Sequence, residues 1–378
     1  MITQVRFARP SIIMNGSDWF NELAPYFLNC IYVDNCDGDH ADDFQLQLAD
    51  RDKRFISDWM PDVGTYFDAE IICERWFAPN AAALSLECGR FWIDSVDFQL
   101  PQSTVSIKAS SIPTDQKLKG ADETRGWENS SLEDVAIQIA GENMMVLDWQ
   151  ALTNPKYKRL EQTEESGLSL LKKHANAHKL SLKVHKNNIV IFNEQELEGA
   201  ASAFTLLYGD ATAGVGGATY RMSAGDFQIM INDTVQSTRN SFSVMETGMT
   251  GQSNFNTEDQ DISEYGTDSN EDPGEDGEGG GNGGNGGGLR KPRSGLEGDW
   301  TTDTDSTFAE AMARDKNKHK VRATIEMSIG NPLVAAGQTF DLKGVGQFDG
   351  KWFAETVEHQ LGPQYDTKII AHKCLEGY

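Results

Sequence analysis

Positive charge is what this sequence has least of: 33 Lys and Arg stand against 58 Asp and Glu, a formal net charge of −25 over 378 residues. A general nucleic-acid binder needs Lys and Arg to displace counterions from phosphates, so that class is excluded. Long apolar runs are missing too. No stretch of about 18 apolar residues occurs, which excludes a membrane-spanning helix. The first residues, MITQVRFARPSIIMNGSDWF, hold no apolar core of the kind a secretory leader carries. Cysteines are few and odd in number: Cys30, Cys36, Cys73, Cys88 and Cys374 include no C-x-x-C pair. A disulfide framework is therefore not expected, which suits a chain made in a reducing cytoplasm.

What is present suits two or three domains. The charge is uneven: Glu246 to Glu278 contains 11 acids and no Lys or Arg, leaving −14 of the −25 to the rest of the chain. From Asp43 to Ser110 the pattern is β. Phe44, Leu46 and Leu48 alternate with polar neighbours, the period of a half-buried strand. The segments YFDAEIICERWF, LSLECGRFWIDSVDFQL and STVSIKAS continue it, broken by Pro61, Gly64, Pro79 and Gly89. Short strands at this spacing predict a closed or sandwiched sheet.

The pattern then changes. Ser130 and Glu133 have capping-box spacing, with Ser130 at the N-cap and Glu133 at N3. Leu132, Val135, Ala136, Ile139 and Ala140 follow at helical spacing, ending near Gly141. A second helix is predicted from about Ser166 to Lys179, with Leu168, Leu171 and Ala175 on one face. LSLKV and IVIFN follow as a hairpin turning at Asn187-Asn188. Residues 113–200 thus read as an α/β unit. Alternation returns from Ala218 to Val244 and again in KVRATIEMSI, TFDLKGVGQF, WFAETVEHQL and TKIIAHKC. Between them, residues 247–303 are rich in Gly, Asp, Glu, Asn and Ser, and 10 of the 15 positions from Gly274 to Gly288 are glycine. Such a stretch buries too little apolar surface to offset its ordering entropy. It reads as a flexible insertion that leaves and rejoins a sheet at a surface loop, followed by a short helix at Thr307 to Arg314.

No catalytic signature emerges. Asp34, Asp37, Asp39, Asp42 and Asp43 miss the spacing of a calcium loop and its closing Glu, so a solvated acidic turn is expected there. Cys30, Cys36 and His40 offer three zinc ligands without a fourth, so free buried thiols are expected at Cys30 and Cys36. His174 and His178 are four apart, but Ala175 stands where H-E-x-x-H has its Glu, and a dipole-favoured helix-terminal charge explains His178 more simply. The glycines of YGDATAGVGGATY and GGGNGGNGGG form no phosphate loop. Trp76, Trp92, Trp127, Trp149 and Trp352 could line a sugar site, but Trp alternating in strands is more often core. No catalytic, cofactor-binding or metal-ligating residue is therefore assigned, and no cofactor.

Two segments carry a resemblance. RLEQTEESGLSLLKKHANAHKLSLKVHKNNIVIFN, residues 159–193, has a Gln/Glu-Ser stretch, a Leu-rich helix and a β-hairpin. PLVAAGQTFDLKGVGQFDGKWFAETVEHQL, residues 332–361, has Ala336-Gly337, a strand, Gly344 and Gly346, Phe348-Asp349-Gly350, an aromatic, and Val357 to His359. Together, and in this order, they resemble the phage late-control gene D family, tail hub proteins of contractile phages that are similar to the base of type VI secretion spikes. The helix from Ser130 to Gly141 falls where that family has one. The long Gly- and acid-rich insertion departs from the family pattern.

The resemblance implies a mainly β chain with an α/β middle domain. It implies two tail-tube-like β-barrels, 1–112 and the discontinuous 201–245 plus 318–378, flanking 113–200, with 246–317 as the insertion. It further implies a homotrimeric hub in the virion baseplate, assembled in the host cytoplasm. Its expected partners are the tail tube protein, a separate spike or needle protein, other baseplate proteins and the tape measure protein; DNA only passes through, and nothing inserts into a membrane. Part of the −14 outside the insertion is expected to line the bore, where repulsion would keep DNA from sticking. Rival readings are the base of a secretion or bacteriocin spike, against which neighbouring capsid and terminase genes would favour a phage, and a baseplate peptidoglycan hydrolase or carbohydrate-binding module.

Overall fold

The computed structural model describes residues 6–36, 41–100, 103–113, 118, 123–209, 218–221, 227–231, 239–244, 249–256 and 318–374. The chain opens with β1 (Phe7–Met14), β2 (Ser17–Asp18), the single turn α1 (Phe20–Leu23) and β3 (Phe27–Asn35). It continues with β4 (Asp43–Ala49), β5 (Tyr66–Glu74), β6 (Leu84–Gln99) and β7 (Thr104–Ser110). Next come β8 (Glu123–Ser131), α2 (Leu132–Glu142), β9 (Val146–Trp149), β10 (Lys156–Glu165) and α3 (Gly167–Ala177), then β11 (Ser181–His185), β12 (Asn188–Phe192) and α4 (Glu194–Gly199). The last part holds β13 (Phe204–Leu207), β14 (Ala218–Arg221), β15 (Phe227–Ile231), β16 (Arg239–Val244) and β17 (Met249–Asn256). It ends with β18 (Val321–Met327), β19 (Thr339–Lys343), β20 (Gly350–Leu361) and β21 (Tyr365–Lys373).

The chain is mainly β, as expected, and the alternation works as it should. Phe44, Leu46 and Leu48 are buried on β4 while Gln45 and Gln47 are not, and Phe67, Ala69, Ile71 and Cys73 do the same on β5. Tyr32, Phe44, Phe67 and Phe91 meet edge to face or tilted in one core, each ring worth about 1.5–3 kcal/mol of burial.

The two separate barrels, however, are not what the strands build. Among the described residues no sheet closes on itself; 14 strands form one branched sheet. The branch is β20. Its first residues ladder with β19, Phe353 opposite Thr339, and its last residues ladder with β3, Leu361 opposite Cys30, while β21 runs along its other edge. At 12 residues β20 is long enough to serve both halves, and a shared strand turns two sheets into one.

Residues 112–191 pack a separate core. The capping box is shifted by one from the expected pair: Ser131 Oγ accepts from Asp134 N at 3.2 Å, and Asp134 Oδ2 accepts from Ser131 N at 3.0 Å. Ser130 is still a strand residue there, paired with Tyr157. Leu132, Val135, Ala136, Ile139 and Ala140 are buried, the expected face, and α3 buries Leu168, Leu171 and Ala175 likewise. The hairpin turns at Lys186-Asn187, one residue before the expected pair. Both have positive φ (49° and 62°), the signature of a type I′ turn. The ladder of β8 with β10 was not legible, because Trp127 on β8 and Tyr157 and Leu160 on β10 are the few apolar side chains they bring to the core, and Tyr157 and Leu160 are three apart rather than two.

This turn presses on β6. Gly89 has φ +106°, and a Cβ there would lie 3.0 Å from Lys186 Cα. Gly89→Ala is expected to cost about 1–3 kcal/mol through backbone strain and contact, read as a lower urea midpoint; an unchanged midpoint would show that the hairpin can lift away. Within the expected insertion, β17 pairs with β16 from Val244 opposite Met249 onward, so order persists beyond residue 247. The Gly-rich tract and the expected helix at Thr307 to Arg314 lie outside the described residues. Among those described, no helix is long and apolar enough to cross a membrane.

Candidate functional site: two charged seams between packed units

Two clusters of buried charge sit where the packed units meet. The first grows from β3. Asp34 and Asp42 are almost fully buried, and Lys183 reaches them from β11, its Nζ 2.8 Å from Asp34 Oδ1 and 4.0 Å from Asp42 Oδ1. Asp34 Oδ2 accepts from the Ala336 backbone N–H at 2.9 Å, so one carboxylate ties together residues from all three parts of the chain. Asp42 Oδ2 lies 2.5 Å from His185 Nδ1, and Asp42 Oδ1 accepts from Asn35 N at 2.9 Å. Burial alone would lower the Lys183 pKa, but Asp34 and Asp42 more than reverse it. Burial raises that of Asp42 despite the opposing Lys183 and His185. The expected solvated acidic turn is thus corrected: Asp34 and Asp42 are interior ion-pair partners. Asp43 begins β4 in solvent, and Asp37, Asp39 and His40 lie outside the described residues.

The second seam joins α4 to β20 and β21. His372 is fully buried; its Nε2 lies 2.6 Å from Glu198 Oε1 and its Nδ1 2.9 Å from Glu355 Oε1. Glu355 also meets Arg322 and, at 3.0 Å, His319 Nδ1, while Lys318 Nζ donates to Glu194 Oε2 at 2.9 Å. Burial would raise the Glu355 pKa, but hydrogen bonds from His319, His372 and Arg322 hold it well below the usual carboxylate range. Burial would lower that of His372, and its carboxylate partners raise it instead. Neither seam was read from the sequence. Lys183 stands 149 residues from Asp34 and His372 174 from Glu198, and no local spacing signals such pairs.

The remaining candidates fall into structural places. Cys30 and Cys36 are buried free thiols, as expected; Cys73 and Cys88 are buried too and Cys374 partly so, and burial pushes Cys30 and Cys73 up to about 12. Trp76 donates to Gly330 O, Trp352 to Phe348 O, Trp127 to Gln138 and Trp149 to Ala151 O, while Trp92 is buried beside Tyr66. Five tryptophans with five separate environments make no sugar platform. A groove of about 360 Å³ lies between β5, β6 and the hairpin turn. Its Arg90 is paired bidentately with Asp68, and its Lys186 with Glu87.

His174 and His178 both face Tyr157. Burial pushes each down to about 4, so His178 is neutral near pH 7 and the expected dipole-favoured charge is not its state. His359, stacked on Tyr32, is also held at about 4 by burial, with Asp34 and the Val334 carbonyl opposing weakly. These three rings stay neutral in the fold, whereas in the unfolded chain they take up protons below about pH 6.5. Their contribution to stability is complete above pH 6.5 and is lost as pH falls toward 4. For fully buried His359 the loss approaches about 3 kcal/mol at pH 4. Unfolding free energies measured between pH 7 and 4.5 should fall steadily; a flat profile would refute the assignment.

The sequence matches no protein-family profile and no curated protein. The fold does have counterparts. The 43 kDa tail protein of prophage MuSo2 from Shewanella oneidensis superposes with a TM-score of 0.62 at 9% identity, over 97% of this chain and 98% of that one. The tail protein from Neisseria meningitidis MC58 gives 0.59 at 10% identity, over 97% and 96%. From end to end, this chain has the fold of these phage tail proteins.

Proposed function

We propose that this chain is a structural protein of a phage or phage-like contractile tail, serving as the baseplate hub between a six-fold tube and a three-fold spike. The observation that carries the reading is the whole-length likeness to two tail proteins, each spanned almost completely. The arrangement of the resembling segments supports it. Residues 159–193 supply the hairpin with Lys183 and His185, and residues 332–361 supply β20, so both segments build the joints between units. Three copies, each with two β halves, would offer six β units to the tube and three-fold symmetry to the spike. The flanking β parts, 1–112 and 201–245 with 318–378, then face the ring, 113–200 forms the middle, and acidic surface lines the bore.

In this reading the chain does no chemistry, takes no cofactor and works in the virion through contacts with tube, spike and other baseplate proteins. Electron microscopy of the full chain mixed with tube and spike proteins tests it. Rings of about three chains bridging both partners are expected; a chain that stays solitary beside both would overturn it, as would a clear lysis band on a cell-wall zymogram.

A further inference from the structure

We propose that the outer edge of β9 is a docking site for an extended segment of another protein. The segment adds antiparallel as a fourth strand and carries a Lys or Arg between two apolar residues. This goes beyond the hub reading and does not rest on it. β9 lies at one edge of the three-stranded sheet β11-β12-β9 and runs parallel to β12. Val146 N donates to Asn187 O at 3.5 Å and Gln150 N to Ile191 O at 2.8 Å, with Asp148 in register opposite Val190. The even-numbered residues thus ladder with β12, and alternation turns the N–H and C=O groups of Leu147 and Trp149 the other way. Among the described residues no strand pairs with that side.

The edge has none of the features that block strand addition elsewhere. Val146–Trp149 holds no proline, lysine or bulge. By contrast, β10 carries Lys156, Lys158, Arg159 and a bulge, while β1 carries Pro10 and is partly covered by β2. The two most exposed large apolar side chains among the described residues, Leu152 at 88% and Met144 at 78%, stand just beyond the two ends of β9. Val146 itself is 65% exposed. Open backbone groups flanked by exposed apolar side chains suit an added strand, whose main chain supplies the bonds and whose alternate side chains supply selectivity.

Charge identifies the occupant. From Asn143 to Pro155 there is no Lys or Arg. Asp148 accepts a neutral hydrogen bond from Gln150 Nε2 at 2.8 Å. Past the end of the strand, Glu196 Oε2 accepts from Leu152 N at 3.1 Å and Glu133 Oε2 from Asn154 Nδ2 at 2.8 Å. None of these three carboxylates is ion-paired with a described residue. A second copy of the chain fits poorly. Antiparallel pairing of β9 with itself through both Leu147 and Trp149 sets the two Asp148 side chains directly opposite one another, where like charges repel. A Lys or Arg in that place pairs with Asp148 instead. Its two apolar neighbours then lie opposite Leu147 and Trp149 and extend the face that those side chains pack into the middle core.

A fluorescein-labelled peptide of alternating valine and lysine, titrated into the full chain, tests this. Saturable binding is expected, at least about tenfold weaker for the matching valine–glutamate peptide. The valine–lysine peptide N-methylated at its valines keeps its charge but loses the bonds to Leu147 O and Trp149 O, and should also bind at least about tenfold more weakly. With saturating peptide, the amides of Leu147 and Trp149 should exchange with solvent at least about tenfold more slowly, while that of Asp148, already turned toward β12, should not change. Equal binding by the N-methylated peptide would place the attraction in overall charge and overturn the site, as would binding that leaves those two amides unprotected. Dimers of the chain that the peptide dissociates would assign the edge to a second copy and overturn it too.

Discussion

Lys183→Met is expected to cost about 3–5 kcal/mol of unfolding free energy, because it strands Asp34 and Asp42 as buried charges without their cation. Lys183 is about one-tenth exposed at its side chain and the two carboxylates less still, so water cannot easily take over its role. The loss is read as a large drop in the urea midpoint of the full chain. Its origin is separable from simple truncation. Adding Asp34→Asn removes one stranded charge, and the double variant should regain part of the loss even though it carries more changes. A double variant no more stable than Lys183→Met alone would place the cost in packing rather than charge.

Trp352→Ala should be of similar size, about 3–5 kcal/mol. The indole is fully buried among Phe340, Leu342, Val357 and Ile369, and its Nε1 donates to Phe348 O at 3.1 Å. The cavity would open under β20, the strand that both halves share, so the damage should not stay in one half. Unfolding followed by Trp76 and Trp92 fluorescence in the first half should shift together with the overall circular-dichroism transition. A first half that unfolds at its original midpoint, while the second melts early, would show that the ladder of β20 with β3 does not couple them.

Much of the local structure could be read from residue order. Phe44, Leu46 and Leu48 announce a strand because period-2 alternation is a property of neighbours. The Leu132 to Ala140 face announces a helix for the same reason, and the chain did what both patterns asked. Local signals also erred locally: the cap moved from Ser130 to Ser131, and the turn moved to Lys186-Asn187, because strand pairing on each side decided the boundary. β8 and β10 escaped notice, since Trp127, Tyr157 and Leu160 are too few and too irregularly spaced to show a period of two.

By itself, then, the sequence determined the β-rich class, the two helices, the hairpin and the lack of any local catalytic pattern, all of which depend on residues within a few positions of one another. Tertiary structure alone decided that β20 joins both halves into one sheet, that Asp34 and Asp42 are interior rather than solvated, and that Glu194, Glu198, Glu355 and His372 converge. The physical reason is one of range. A buried charge is tolerable only where a partner arrives from elsewhere in the chain, and composition or spacing says nothing about what the fold will bring to that point.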